Sequence, residues 1–437
     1  MPIRRPVPIM TETRVRLRIE RYADQGRCVS HLEDGRVVFV RFALPGELVD
    51  VLLDEPHGRA GRFATGEVTQ VLEASPDRRD PVWPLAGPLA WGGGLGGADL
   101  IHVSLPGQLT WKSDLIGQQM ARLGGVDAQV SVVRVPGDKE LGGLHWRTRI
   151  ELVADDQGRP SMRRRGSHDR LPIQTMPLAT QELLDVADEL GIWEGDLPAG
   201  ARIRLAVPQP RDGGPVGDNY ALLVDGRLNE GSRLLTERLE AGAGPEYQVR
   251  ADGFWQVHRQ APVVLTKAVM DQARQALDGV AEPVIWDLYC GSGLFTLPLA
   301  ALADGRARLL AVEGSAGAIA CAKNNVKRAG LNRVVLRRGD VARVLAGGPP
   351  KGLGHPDLIL LDPPRAGAKA QVCQLLAAGG AGTIIYVACD PTSLARDTAT
   401  LISLGYSPEH LEAFDIYPMT HHVETMAIFT RTAGRRR

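Results

Sequence analysis

The sequence predicts an α/β protein with a twisted parallel sheet in its carboxyl-terminal half, a small β-barrel at its amino end, and a mixed α+β stretch between them. Three patterns carry that prediction. Past residue 250, the strand-like runs "VIWDLYCGSG", "RLLAVEGS", "RVVLRRGD", "PDLILLDPPR" and "GTIIYVACDP" alternate with helical stretches such as "AGAIACAKNNVKRAG". That βαβα order makes a parallel sheet. Residues 11–72 alternate apolar and polar positions at period 2, with Gly and Asp turns between the runs. Between these blocks the pattern is mixed: "WRTRIELVAD", "ARIRLAVP" and "YALLVDG" read as strands and "LATQELLDVADELGIW" as a helix. The expected division is 11–72, 73–250 and 251–437.

Taken in order, the opening "MPIRRPVPIM" leads into no apolar stretch of signal-peptide length, and no window of 18 apolar residues occurs. Five scattered cysteines (Cys28, Cys290, Cys321, Cys373, Cys389) form no close pair, which suits a reducing compartment. A cytoplasmic protein, off the membrane and monomeric, is expected. Lys+Arg and Asp+Glu both number 51 in the 437 residues, so no overall basic excess announces a nucleic-acid partner. After the barrel comes "ASPDRRDPVWPLAGPLAWGGGLGGADLIH", a Pro- and Gly-rich connector with Trp83 and Trp91 as its expected anchors, and then a helix over 104–124. The densest basic cluster, "MRRRGSHDR" with Arg163, Arg164 and Arg165, reads either as a solvated hairpin tip or as a phosphate contact. The closing runs "HLEAFDIYP" and "ETMAIFTR" predict an antiparallel hairpin at the end of the sheet.

The sheet's carboxyl edge carries the chemistry, since ligands of open α/β sheets sit there. Gly291 and Gly293 permit a tight turn and close backbone approach. Asp287, Glu313, Asp340 and Asp362 end successive strands, and one of them, Glu313, stands where a carboxylate binds ribose hydroxyls. A third glycine is missing, which favours a ligand without pyrophosphate, such as S-adenosylmethionine. Cys389 ends the fifth strand, immediately before Asp-Pro. A thiolate there, adding to C6 of a uracil, would make C5 nucleophilic toward a methyl sulfonium. A base must then remove the C5 proton. Glu424, beside His421 and His422, begins the last strand. In "DPPR", Arg365 replaces the aromatic residue of amino-group methyltransferases and suits a charge or hydrogen-bond role.

Together, "DLYCGSG", "LLDPPR", "VACDPTSLARD", "HHVETMAIF" and "GFWQVHRQAP" closely resemble the RNA (uracil-C5)-methyltransferases that use S-adenosylmethionine, and the front end with "ALPGE" resembles a TRAM domain. The resemblance implies a Rossmann-like class I methyltransferase domain, an RNA-binding barrel of the oligonucleotide-binding type, and rRNA or tRNA as partner. It implies Cys389 as nucleophile and Glu424 as proton acceptor. It also implies Gln256, Tyr289, Glu313, Asp362 and Asp340 as cofactor contacts, with Gly291 in the glycine turn. Phe254 and Trp255 are read either as stacking platforms for RNA bases or as core. The chain departs from the family at His258, Leu294 and Asp390. Many members hold an iron–sulfur cluster through four cysteines; here Trp83 and Met176 stand where the first and last would be, so no cluster and no other metal is expected. The competing readings are an RNA cytosine-5 methyltransferase, against which "DPPRAGAKA" lacks the second cysteine, and a non-catalytic RNA-binding protein, against which Cys389 and Glu424 are both intact.

Overall fold

A computed structural model describes residues 13–54, 62–211, 213–239 and 244–432. The opening "MPIRRPVPIM" and the first two residues of the expected barrel lie outside them. The chain forms two compact units: Met1–Trp111 with Arg163–His168 and Met419–His421, and Lys112–Met162 with Asp169–Pro418 and His422–Arg437. Among the described residues no helix is long and apolar enough to cross a membrane.

The first unit is built on six strands: β1 (Arg14–Arg18), β2 (Arg21–Ala23), β3 (Arg27–His31), β4 (Val37–Arg41), β5 (Leu48–Leu53) and β6 (Phe63–Glu73), in the order β1-β5-β6-β4-β3-β2. Alternate side chains (Cys28, Val38, Val40, Val49, Val51) are buried, as period-2 patterning requires. Glu47, at the end of "ALPGE", is buried; it accepts from the amides of Leu44 (2.9 Å) and Ser75 (3.1 Å) and from Arg78 Nε (2.5 Å). The connector forms two short 3₁₀ turns, Pro84–Ala86 and Leu89–Trp91. Trp83 is buried there as expected, whereas Trp91 is exposed and donates to Thr69 O (3.0 Å).

The main holder of the connector is Arg165. Its guanidinium donates to the carbonyls of Ala86 (3.1 Å), Gly87 (2.8 Å) and Leu95, lies 4.4 Å over the Phe42 ring and pairs with Glu67 at 3.5 Å. With its side chain 14% exposed, Arg165 is spent inside this unit. This differs from both sequence readings of the arginine cluster, because the carbonyls that occupy it come from far earlier in the chain. The Nε of Arg164 is also buried, and only Arg163 of the three points fully outward.

Helix α1 (Leu105–Gln119) follows the connector. The second unit holds an eight-stranded sheet. Its strands are β7 (Val132–Arg134), β16 (Val284–Leu288), β17 (Arg308–Glu313), β18 (Val334–Arg338), β19 (Leu358–Leu361), β20 (Thr383–Ala388), β21 (Tyr406–Asp415) and β22 (Glu424–Arg431), ordered β18-β17-β16-β19-β20-β22-β21-β7. The first five are parallel; β22 runs antiparallel to both β20 and β21. The expected closing hairpin is present but is not the sheet's edge, because β7 pairs parallel with β21 outside it. Three residues are too short a run for periodicity to reveal. Lys112, Asp415 and Arg134 form a buried cluster behind that edge, with Arg134 2.6 Å from Asp415.

Between these strands run β8 (Arg149–Ala154), β9 (Pro160–Arg163), β10 (Arg170–Pro172), α2 (Gln181–Glu189), β11 (Arg202–Ala206), β12 (Ala221–Val224) and β13 (Arg227–Gly231), the strands making a second sheet. The hairpin β14 (Leu234–Arg238) and β15 (Glu246–Arg250) leads to α3 (Ala261–Ala276). The helices of the parallel sheet are α4 (Thr296–Ala300), α5 (Leu302–Gly305), α6 (Ala316–Arg328), α7 (Val341–Ala346), α8 (Lys369–Gly379) and α9 (Pro391–Ser403). The core lies between sheet and helices, with Ile285, Leu309, Leu360, Ile385, Val387 and Ile428 at its centre.

Candidate active site

Backbone geometry at the end of β16 prepares a binding edge. Tyr289 (φ 63°), Gly291 (φ 56°) and Gly293 (φ 94°) all take left-handed backbone angles, costly for tyrosine and free for glycine. A Cβ on Gly291 would project into open space, so the turn leaves a cradle above the sheet. Glu313, at the end of β17, accepts from the amides of Gly291 (3.0 Å) and Ser315 (2.6 Å). Its carboxylate therefore fixes the glycine turn and keeps lone pairs for a hydroxyl ligand. Asp287, within β16, is buried and accepts from Thr296 Oγ1 (2.5 Å); burial, opposed by that bond, pushes its carboxyl up to about 7. Burial likewise holds the half-buried Tyr289 phenol at about 12, with Asp340 the next cause. Asp340 itself is exposed and caps α7 by accepting from Arg343 N (3.0 Å).

Gln256 is 5% exposed and its Oε1 has no hydrogen-bond partner, a buried acceptor left open for a ligand's donor. Its neighbours divide sharply. Phe254 is 69% exposed and borders a cavity of about 350 Å³ shared with Arg147, Arg149 and Arg204. Trp255 is 4% exposed and packs in the core, 5.4 Å from the Tyr247 ring. That corrects the RNA-stacking reading of Trp255: its indole faces inward and has no surface to offer a base. His258, buried, accepts from Gln260 N at Nδ1 (3.0 Å) and so donates from Nε2 to Asp138 (2.8 Å), a neutral tautomer stacked 5.7 Å from Trp146.

Cys389 and Glu424 meet by strand register. The β20–β22 pairing sets Ala388 opposite Thr425, so Cys389 and Glu424, the next residues out, come level at the strand ends. The Cys389 thiol is raised to about 12, first by burial and then by the carboxylates of Glu424 and Asp362, with Arg365 opposing them. Glu424 is buried and held well above the usual carboxylate range, first by burial and then by Asp362. Asp362 stands at about 7, raised by burial and then by Asp287. Glu424, Asp362 and the Cys389 thiol thus each disfavour the charged form of a neighbour in a poorly solvated place. Arg365 is exposed and donates to His422 Nε2 (3.2 Å). Asp390 caps α9 through Ser393 N (2.7 Å). His421 bonds Asp99 at 2.7 Å within the first unit.

Two groups were not singled out from the sequence. The phenol of the half-buried Tyr417 is raised by desolvation, then by Glu424, Cys389 and Asp362; its signal was an aromatic residue shortly before Glu424. Asp397, in "LARD", binds the loop that follows β19. Among the described residues no group of three or more His, Cys, Asp or Glu is placed to hold a metal ion.

Fold and site together define a Rossmann-type α/β protein whose glycine turn, strand-end carboxylates and Cys389 lie along the carboxyl edge of one parallel sheet. Residues 355–432 match the family model of tRNA (uracil-5-)-methyltransferase and residues 10–69 that of the TRAM domain. An RNA methyltransferase of Bifidobacterium longum is 59% identical over 98% of this chain and 99% of its own. The 23S rRNA (uracil(1939)-C(5))-methyltransferase RlmD of Shewanella amazonensis is 32% identical over 95% of each chain. The crystal structure of Pyrococcus abyssi tRNA (uracil-54, C5)-methyltransferase with S-adenosyl-L-homocysteine covers 95% of this chain and 99% of that one at a TM-score of 0.67 and 20% identity, a likeness of fold. The chain belongs to the S-adenosylmethionine-dependent RNA (uracil-C5)-methyltransferases.

Proposed function

We propose that this enzyme methylates C5 of a uridine in rRNA or tRNA through a covalent bond between Cys389 and C6, working as a cytoplasmic monomer. The observation that carries the reading is the level placement of Cys389 and Glu424 across β20 and β22. S-adenosylmethionine, when bound, supplies the methyl group. The open Oε1 of Gln256, the cradle at Gly291, the carboxylates of Glu313 and Asp362 and the phenol of Tyr289 are the groups that would hold it. Asp340, an exposed helix cap, would act from the rim.

As sulfur adds to C6 the thiol proton passes to solvent, and the electron pair of the C5–C6 bond moves onto the carbonyl oxygen to form an enolate. C5 takes the methyl group. Glu424 then accepts the C5 proton, the C5–C6 double bond re-forms and sulfur leaves as thiolate. A thiol held near 12 is protonated in the free protein, and burial and Asp362 favour the neutral form of Glu424 there, so the ionised forms of both belong to the assembled complex. Phe254, Arg163, Arg164 and Arg365 are offered to RNA; Trp255 and Arg165 are not. The division 11–72, 73–250 and 251–437 is retained as a division of labour, with the barrel adding RNA affinity. The test is incubation with radiolabelled methyl donor and uridine-containing transcripts, and separately with 5-fluorouridine RNA. The reading requires label in 5-methyluridine and a denaturation-resistant protein–RNA band, both lost in Cys389→Ala. Label in cytidine, or none, overturns it.

A further inference from the structure

The segment after β19, "DPPRAGA", carries Asp362 and Arg365 and makes no strand or helix of its own. Something must fix it. Gly367 closes a turn by donating to Pro364 O (2.8 Å). Ala368 N donates to Asp397 Oδ2 (2.7 Å) and lies 3.0 Å from the Tyr386 hydroxyl, and Lys369 N donates to Asp397 Oδ1 (3.1 Å). The Tyr386 hydroxyl itself donates to Asp397 Oδ2 (2.7 Å). Tyr386 and Asp397 are both buried. Helix α8 has no side-chain cap of its own, since Ala368 stands at its N-cap; the carboxylate comes from α9 instead, favourably placed at a helix amino end.

Two further features show how tightly this point is determined. Lys369 is held at φ 69°, a strained angle that persists only when surrounding contacts impose it. A Cβ on Gly367 would stand 2.6 Å from Asp397 Oδ2 and 3.0 Å from Ser393 Cβ. The loop backbone therefore rests directly on α9, the helix that begins immediately after Cys389.

We propose that Asp397, with Tyr386, is a positioning residue: it ties the Asp362–Arg365 loop to the strand–helix unit carrying Cys389, and so sets carboxylate against thiol for the reaction. The proposal rests on the proposed function above. A buried carboxylate held by backbone amides and a phenol is a poor stabiliser compared with an apolar group, and its value lies in the geometry it imposes. Asp397→Asn presents an amide N–H₂ toward backbone donors and loosens the loop.

The experiment compares wild type, Asp397→Asn and Tyr386→Phe in methyl transfer and in the rate of adduct formation with 5-fluorouridine RNA. Displacement of a reacting group by about an ångström costs on the order of a hundredfold in rate. We expect kcat and the adduct rate to fall together, about 10- to 100-fold in Asp397→Asn and severalfold in Tyr386→Phe. KM for RNA and the dissociation constant for S-adenosylhomocysteine should stay within about twofold. If Asp397→Asn does not fold, Tyr386→Phe decides alone. Unchanged kcat in folded variants, or a loss confined to thermal stability, overturns the proposal. If wild type forms no adduct, the covalent reading fails first.

Discussion

Two irregular stretches of this molecule are held in opposite ways. In the barrel unit, the connector is gathered by a cation: Arg165 collects the carbonyls of Ala86, Gly87 and Leu95. At the sheet edge, loops are gathered by anions: Glu313 collects the amides of Gly291 and Ser315, and Asp397 those of Ala368 and Lys369. Both devices satisfy backbone groups that have no ladder partner. They differ in what remains. The Nη1 and Nη2 groups of Arg165 are taken up by three carbonyls and Glu67 over an aromatic face, and little of it reaches solvent. The Glu313 carboxylate has more lone pairs than its two amides use, so that anion-held loop still has something to offer a ligand.

A large expected effect breaks the cation-held side. Arg165→Ala leaves buried carbonyls unpaired and should cost about 3 kcal/mol or more, read as a lower urea midpoint, with S-adenosylhomocysteine affinity unchanged. A loss of donor binding in the folded variant would show that the connector is not merely structural. On the anion-held side, Glu313→Ala should weaken donor binding at least tenfold while shifting the melting temperature little, measured by calorimetry. Trp255→Ala and Phe254→Ala separate core from surface. The first should lose about 3–5 kcal/mol of stability. The second should lose about 1–3 kcal/mol of RNA affinity with stability intact.

A pH experiment sharpens the same contrast. The folded Asp287 carboxyl stands near 7, above its ordinary 3.8. Between about pH 4 and 7 the folded protein holds a proton that the unfolded chain releases, so this group's contribution is full below that window and is lost as pH rises through it. Asp287→Asn should flatten that part of the stability profile, by up to a few kcal/mol. The smallest expected effect is none: with Trp83 and Met176 at the positions of two cluster ligands, exhaustive chelation under anaerobic conditions should leave the melting temperature unchanged. Stoichiometric iron and sulfide in the protein would contradict this.

The sequence announced the parallel sheet because its strands are uniformly apolar and end in Gly, Asp or Pro, and Cys389 and Glu424 because each marks a strand boundary. Phe254 and Trp255 could not be told apart, since outside a helix or strand no period says which neighbour faces inward. Arg165 was misjudged because its partners lie 70 to 79 residues earlier. β7 was too short to see. The raised carboxyl of Asp287 depends on burial that only the packed sheet creates, and the role of Asp397 depends on a loop distant in sequence.

The pairing of β20 with β22 has one more consequence, for how the chain tolerates change in length. Cys389 and Glu424 are spaced by cross-strand hydrogen bonds and not by the chain that joins them. Residues could be gained or lost at the turn around Gly405, between α9 and β21, and the two side chains would remain abreast. One residue inserted inside β22 just after Glu424 would instead reverse the facing of everything on one side of it. Drift in length is thus harmless in the connection and ruinous in the strand.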